Sequence, residues 1–251
     1  MRALFWNIRD FGASGRRDQI KDLVHGNNVD LIGLVETFKT SFSLHELSSI
    51  VGMDRFDWHV LPASGHSGGI LIGFKRDVFD FVAFDHGIFW ASIVVGHKAL
   101  NLLWVFTVVY GLADHSLSSL FLDELSEKID ACNLPMVIGG DFNLLHSPSD
   151  KNNNNFSWPL ANASNDFISS NAIGELPRVG ARFTWSNHKT NPIRSVLDRV
   201  FICSRWDSLF PRASLVAKCI VGSDHTPLLM DDGSQLHRPP ARFQFDASWL
   251  L

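Results

Sequence analysis

Apolar residues along the 251-residue chain come in short, nearly unbroken runs. Ala3–Ile8, Val29–Val35, Val137–Gly140, Arg182–Ser186, Val196–Ile202 and Leu215–Val221 read as strands. Ile70–Phe74, Ile88–Val95 and Leu100–Tyr110 are too continuously apolar, β-branched or aromatic for sheets with one face in water, so both faces are expected to be covered. Two stretches have the three-and-four spacing of a helix with one apolar side. In Gly15–Asn27 that side is Ile20, Leu23 and Val24, and in His115–Ala131 it is Leu117, Leu120, Phe121, Leu125 and Ile129. Many strands and few helices predict an α/β fold of two packed sheets rather than one doubly wound sheet. Ser149–Pro159, "SDKNNNNFSWP", is low in complexity and reads as a surface loop. The pattern breaks near Pro239-Pro240, so a domain over 1–232 and a linker or truncated tail over 233–251 are expected.

Composition adds little. The chain is 45% hydrophobic and 19% charged, with ample apolar material for a large core. A net charge of −4 argues against a broad basic surface, so any contact with nucleic acid should be local and aided by metal ions. Three scattered cysteines, Cys132, Cys203 and Cys219, form neither a disulfide framework nor a zinc ribbon and read as reduced core thiols. The start "MRALFWNIRDFG" is not a signal peptide, and Ala99–Ala113 is too interrupted to span a membrane.

Chemistry gathers where strands end. "LPMVIGGDFNLLHSP" drives an apolar run into Gly139-Gly140, then Asp141 and Asn143 on either side of Phe142. Two residues apart in a strand, the carboxylate and the amide would face one object, with Phe142 turned to the core. The glycines would admit another chain segment or a ligand. The same five residues are equally good turn chemistry. Other runs end in Asn7, Glu36 and Tyr110, the only tyrosine beside 20 phenylalanines. Asp198 lies inside an apolar run, and Ser223, Asp224 and His225 lie between two more. Singly, Asn7 reads as a cap, Glu36 as a helix start and Asp198 as a partner of Arg199 or Arg194. Together they suit a hydrolytic, metal-assisted site.

The ordered set "WN" (6–7), "VET" (35–37), "SGGI" (67–70), "VVYG" (108–111), "GGDFN" (139–143), "RFTWSN" (182–187), "LDRVF" (197–201) and "SDHTPL" (223–228) resembles the endonuclease/exonuclease/phosphatase superfamily. Within it the chain looks most like the endonuclease domain of plant LINE-type (non-LTR) retrotransposons, over about residues 1–230. The resemblance implies a four-layer α/β sandwich, two packed mixed β-sheets flanked by helices. It also implies a Mg²⁺ cofactor, with Mn²⁺ able to substitute. Glu36 would be the main metal ligand, with Asn7 beside it and Asp224 close by. Asp141 would activate water, Asn143 hold the scissile phosphate and Tyr110 donate to it. His225 would stabilise or protonate phosphate oxygens, oriented by Asp198. Thr184 and Ser223 would contact the DNA backbone or support the site. In the position where apurinic endonucleases carry an aspartate stands Arg9, which suits a phosphate contact.

The implied activity is nicking of duplex DNA to leave a 3′-hydroxyl for target-primed reverse transcription. The implied partners are target DNA and a reverse transcriptase lying outside these residues. An intracellular, nuclear location is inferred from that substrate alone. The alternatives are an abasic-site endonuclease or phosphatase on the same fold, or a non-cutting retrotransposon remnant.

Overall fold

The computed structural model describes residues 1–52, 55–64, 68–218 and 223–234. In chain order the elements are β1 (Arg2–Asn7), α1 (Arg16–Asn27), β2 (Leu31–Val35), α2 (Leu44–Val51), β3 (Phe56–Leu61), β4 (Ile70–Lys75), β5 (Phe79–His86), β6 (Trp90–His97) and β7 (Leu102–Tyr110). There follow α3 (Ser118–Asp130), β8 (Met136–Asp141), α4 (Trp158–Ser170), β9 (Ile173–Glu175), β10 (Arg178–Gly180), β11 (Trp185–Ser186) and β12 (Arg194–Ser195). The chain then forms β13 (Asp198–Cys203), α5 (Ser204–Leu209), β14 (Ser214–Ala217) and β15 (Leu228–Asp231).

The strands form two large mixed sheets and a small hairpin. The first sheet runs β10-β14-β15-β1-β2-β4-β3, the second β5-β6-β7-β8-β13-β9, and β11 pairs with β12. The parallel pairs β1–β2 and β7–β8 are each joined across a helix, α1 in one case and α3 in the other.

Alternation along each central strand explains the layers. Odd positions of β1 and β2, such as Phe5, Leu31 and Val35, join Phe106, Val108, Val137 and Val200 of the second sheet in one core. Even positions, Leu4, Trp6, Ile32 and Leu34, pack outward on Ile20, Val24, Ile50 and Val51 of α1 and α2. On the far side Val105, Ile138 and Phe201 pack on Phe121, Leu125 and Phe167 of α3 and α4. Both faces of the central strands are covered, so the expected four-layer sandwich with unbroken apolar runs is the observed one.

Several local expectations change. In α3 Leu120 is 49% exposed and Leu122 faces the core instead, because the buried arc of the helix is centred on Ser118, Phe121, Leu122 and Leu125. His115–Leu117 forms a separate 3₁₀ turn. The strand expected at Arg182 is only Trp185–Ser186. The Ser149–Pro159 loop holds the start of α4 at Trp158. Cys132 and Cys203 are free but half-buried rather than in the core. Cys219, Ser67, the 219–221 end of the expected strand and the tail from 235 lie outside the described residues. Among the described residues no helix is long and apolar enough to cross a membrane.

The glycines before Asp141 serve the sandwich itself. A Cβ on Gly139 would lie 2.6 Å from the Phe5 ring of the opposite sheet. Gly140 has φ 141°, and a Cβ there would lie 2.2 Å from the Val109 carbonyl oxygen. What approaches is another chain segment, one of the two expected alternatives: a core ring from β1 and the backbone of the neighbouring strand β7.

Candidate active site

Register brings the polar strand ends together. Tyr110, Asp141 and Asp198 are direct neighbours across β7, β8 and β13. In the other sheet Asn7 pairs with Val35, which places Glu36 just beyond. His225 comes in ahead of β15, its backbone held by a bridge to Trp185 and by the Trp6 indole N–H, which donates to the His225 carbonyl at 3.1 Å. Both sheets therefore contribute to one cluster.

Asp141 is its centre and is fully buried. The Asn7 side-chain amide donates to Asp141 Oδ2 at 2.9 Å, across the sandwich. Asn143 donates from its backbone N–H to Oδ1 and from its side chain to Oδ2, each at 3.0 Å. β8 stops at Asp141, and Asn143 has φ 51°. The amide thus folds back onto the carboxylate instead of standing one strand repeat away, while Phe142 turns into the core as expected. A second bond from Asn143 Nδ2 to the Gly111 carbonyl, 2.6 Å, fixes the amide's orientation.

His225 is 5% exposed. Its Nδ1 lies 2.9 Å from Asp198 Oδ2, and its Nε2 lies 3.8 Å from Asp141 Oδ2. Asp198 thus pairs with the imidazole and with neither arginine. Burial opposes the imidazolium, but Asp198 and Asp141 outweigh it and raise the His225 pKa above the ordinary value. Asp141 is also pushed upward, chiefly by burial, against the opposing pull of His225. A carboxylate with raised proton affinity next to an imidazolium is a base and acid pair in one small space.

The rim is polar. Burial and then the Glu36 carboxylate raise the Tyr110 phenol pKa, so the hydroxyl keeps its proton. Arg9 forms an ion pair with Asp224 and lies in the field of Glu36 and Tyr110. Arg9 and Glu36, neither of them glycine, have φ of 44° and 53°. Such backbone costs on the order of 1 kcal/mol or more per residue, and it gathers where side chains must be aimed. The turn-cap reading of Asn7 is borne out, since its Oδ1 accepts the Arg9 N–H at 3.1 Å. Glu36 opens no helix, as α2 begins at Leu44.

Of the two roles expected for Thr184 and Ser223, a DNA-backbone contact or support of the site, their hydrogen bonds fit support. Thr184 is fully buried, and its hydroxyl oxygen accepts the N–H groups of Leu197 and Asp198, each at 2.9 Å. Ser223, 6% exposed, accepts the His225 N–H at 3.3 Å. Sequence reasoning missed Trp6, Gly111 and Trp185 as supports. All three stand inside motifs quoted for other residues, so the signal was present.

The donors fit a hard divalent cation. Glu36, one residue beyond the pairing of Asn7 with Val35, and the Asn7 amide oxygen are oxygen donors at neighbouring strand ends, the type Mg²⁺ accepts together with water. Asp224 is the weaker candidate, being committed to Arg9. Asp141, Asp198 and His225 also have ligand atoms within 4.8 Å of one another, but their mutual hydrogen bond already occupies Nδ1.

A family model described as the endonuclease/exonuclease/phosphatase family matches residues 4–225. The chain belongs to the endonuclease/exonuclease/phosphatase family. Among solved structures, this family member resembles an AP endonuclease from Leishmania major, with TM-score 0.73, 13% identity, and 91% of this chain and 86% of that one covered. It also resembles the endonuclease domain of TRAS1, a telomere-specific non-LTR retrotransposon, with TM-score 0.68, 13% identity and 92% and 97% covered. A third is the 3′ phosphatase NExo from Neisseria bound to product DNA hairpin, with TM-score 0.69, 16% identity and 92% and 98% covered. At these identities the likeness is one of fold. Comparison with curated proteins finds no match.

Proposed function

We propose that this family member is a Mg²⁺-dependent endonuclease that nicks one strand of duplex DNA, in the manner of a non-LTR retrotransposon endonuclease domain of the plant LINE type. The observation that carries the hydrolytic part is the Asn7–Asp141–His225–Asp198 chain. It holds an oriented base and a charged imidazole side by side. Asp141 takes the proton of the attacking water. Three amide donors stop the carboxylate from rotating. Imidazolium His225, held by Asp198, offsets negative charge as it grows on the phosphate oxygens. Tyr110 supplies a neutral donor beside it, and Asn143, whose N–H groups go to Asp141 and the Gly111 carbonyl, serves by holding the base. Glu36 and Asn7 would hold the cation, which supplies Lewis-acid stabilisation of the same charge.

The retrotransposon reading rests on the ordered motifs and on the TRAS1 likeness. Arg9, in place of the apurinic endonucleases' aspartate and paired to Asp224, favours it over abasic-site repair. The expected 3′-hydroxyl would prime a reverse transcriptase, and a DNA target implies action in the nucleus.

The test is nicking of supercoiled plasmid with Mg²⁺ or EDTA by the unmutated protein, Asp141→Ala and His225→Ala. Abasic oligonucleotides and phosphoinositides serve as competing substrates. Open circles from the unmutated protein with metal, lost in both variants, are expected. Cleavage of the phosphoinositide alone would reject a nuclease, and a folded protein that cuts nothing would favour the non-cutting remnant.

A further inference from the structure

The asparagine-rich loop plays no part in the site described, yet it is not loose chain. Asn152 pins it to the β11–β12 hairpin, donating to the Pro192 carbonyl and accepting the Arg194 N–H, both at 2.8 Å. Lys151 forms a bridge with Ser195. The loop so fixed walls an open concavity of about 550 Å³. Phe156, Trp158 and Phe183 line it together with Lys151 and Arg182.

Three features of this surface point the same way. First, its charge is positive on a chain of net charge −4, and no carboxylate is among the described residues lining it. Second, Trp158 is 62% exposed, an apolar ring kept in water at the first turn of α4. It is not adrift, because Phe156 meets it edge-to-face at 5.1 Å and 83°. Third, Lys151 also lines an adjoining cavity of about 280 Å³ whose wall includes Asn143 of the catalytic cluster. Cations for phosphates, a fixed aromatic face, and continuity with the site are the elements of a stacking platform for unpaired nucleotides. A duplex keeps its base faces stacked internally and could use the cations but not the ring.

Resting on the proposed endonuclease function, we propose that this concavity is a second nucleic-acid subsite. It takes an unpaired stretch of DNA next to the nick, stacking one base on Trp158 while Lys151 and Arg182 meet the flanking phosphates. The local contact anticipated from the acidic composition is thereby given a place.

The test is fluorescence anisotropy in EDTA with two labelled probes, a blunt duplex and the same duplex with a short single-stranded tail. The unmutated protein should bind the tailed probe more tightly. Trp158→Ala should weaken tailed binding by about tenfold or more, the loss of one stacked base, and leave blunt binding within about twofold. Trp158→Phe, which keeps a stacking ring, should restore most of it. Because Trp158 is exposed, neither variant should unfold, which circular dichroism checks. A tail that adds nothing, or a Trp158→Ala protein that still prefers it, overturns the subsite and leaves the endonuclease reading standing. An unmutated protein that neither binds the blunt duplex nor nicks plasmid overturns both.

Discussion

Arg199→Met should cost this protein far more than an ordinary surface charge would. Arg199 is 4% exposed on its side chain. Its Nη1 bonds both oxygens of Glu175 at 2.7 and 2.8 Å, and its Nη2 bonds Asp150 at 2.7 Å. Methionine fills much of the volume but takes the guanidinium from two carboxylates, leaving Asp150 the His146 and Ser147 N–H groups and Glu175 the His146 ring. Removing one member of a buried pair typically costs about 3–5 kcal/mol. The Glu175 side chain is 30% exposed, so water repays part of that, and about 2–4 kcal/mol remains. At roughly 2–4 °C per kcal/mol for a domain of this size, the melting temperature should fall by about 4–16 °C. Thermal unfolding followed by far-ultraviolet circular dichroism reads this directly.

The same experiment repeated in acid tests the cause. Burial raises the Glu175 pKa, but His146 and Arg199 outweigh it and hold the carboxyl below its ordinary range. A depressed folded pKa means stability that is present above the unfolded value of about 4.3 and lost as pH falls through the folded value. The gap between the two proteins should therefore narrow below about pH 4. A gap smaller than about 1 kcal/mol near neutrality would place the pair with weak surface bridges and refute the reasoning. So would a gap that stays constant into acid.

Further outcomes follow from the site and the sheets. Asp198→Asn removes the charge that most raises the His225 pKa, so the alkaline limb of the nicking rate should move to lower pH. An unmoved limb in the pH–rate profile would detach His225 from that limb. Thr184→Val leaves the buried N–H groups of Leu197 and Asp198 without an acceptor, at about 1–3 kcal/mol each, so urea should unfold it at clearly lower concentration. Gly139→Ala drives a methyl into Phe5 and should cost about 1–3 kcal/mol, with Phe5→Leu in the same chain recovering part of the loss. Purely additive losses in urea unfolding would show that the clash is relieved elsewhere.

How much of this was readable in the sequence depends on range. Central strands such as β1, β2 and β7 are buried on both faces, and their runs announced them. The edge strand β5, "FDFVAFDH", is mostly exposed and lacked that signal. α4 buries only Ala161, Ser164 and Phe167, and its asparagines and serines are weak helix formers, so the low-complexity stretch masked its start. α2 was legible and missed, because Ser43 and Glu46 form a capping box ahead of an apolar stretch. The identities of the polar strand ends were plain. Their pairings were not, since Asn7 meets Asp141 from 134 residues away and His225 meets Asp198 across 27. Arg199 was offered as a partner for Asp198, but consecutive strand residues point to opposite faces, and it serves Glu175 and Asp150 instead.

The bond from Asn7 to Asp141 joins one sheet to the other, and His225, delivered ahead of β15, closes a second link to β13. Neither sheet alone holds the cluster. The proposed nicking is therefore a gauge of how closely the two halves are seated, and it should disappear under mild denaturation while the helical and strand content persists, at the stage where such a sandwich has swollen but not come apart.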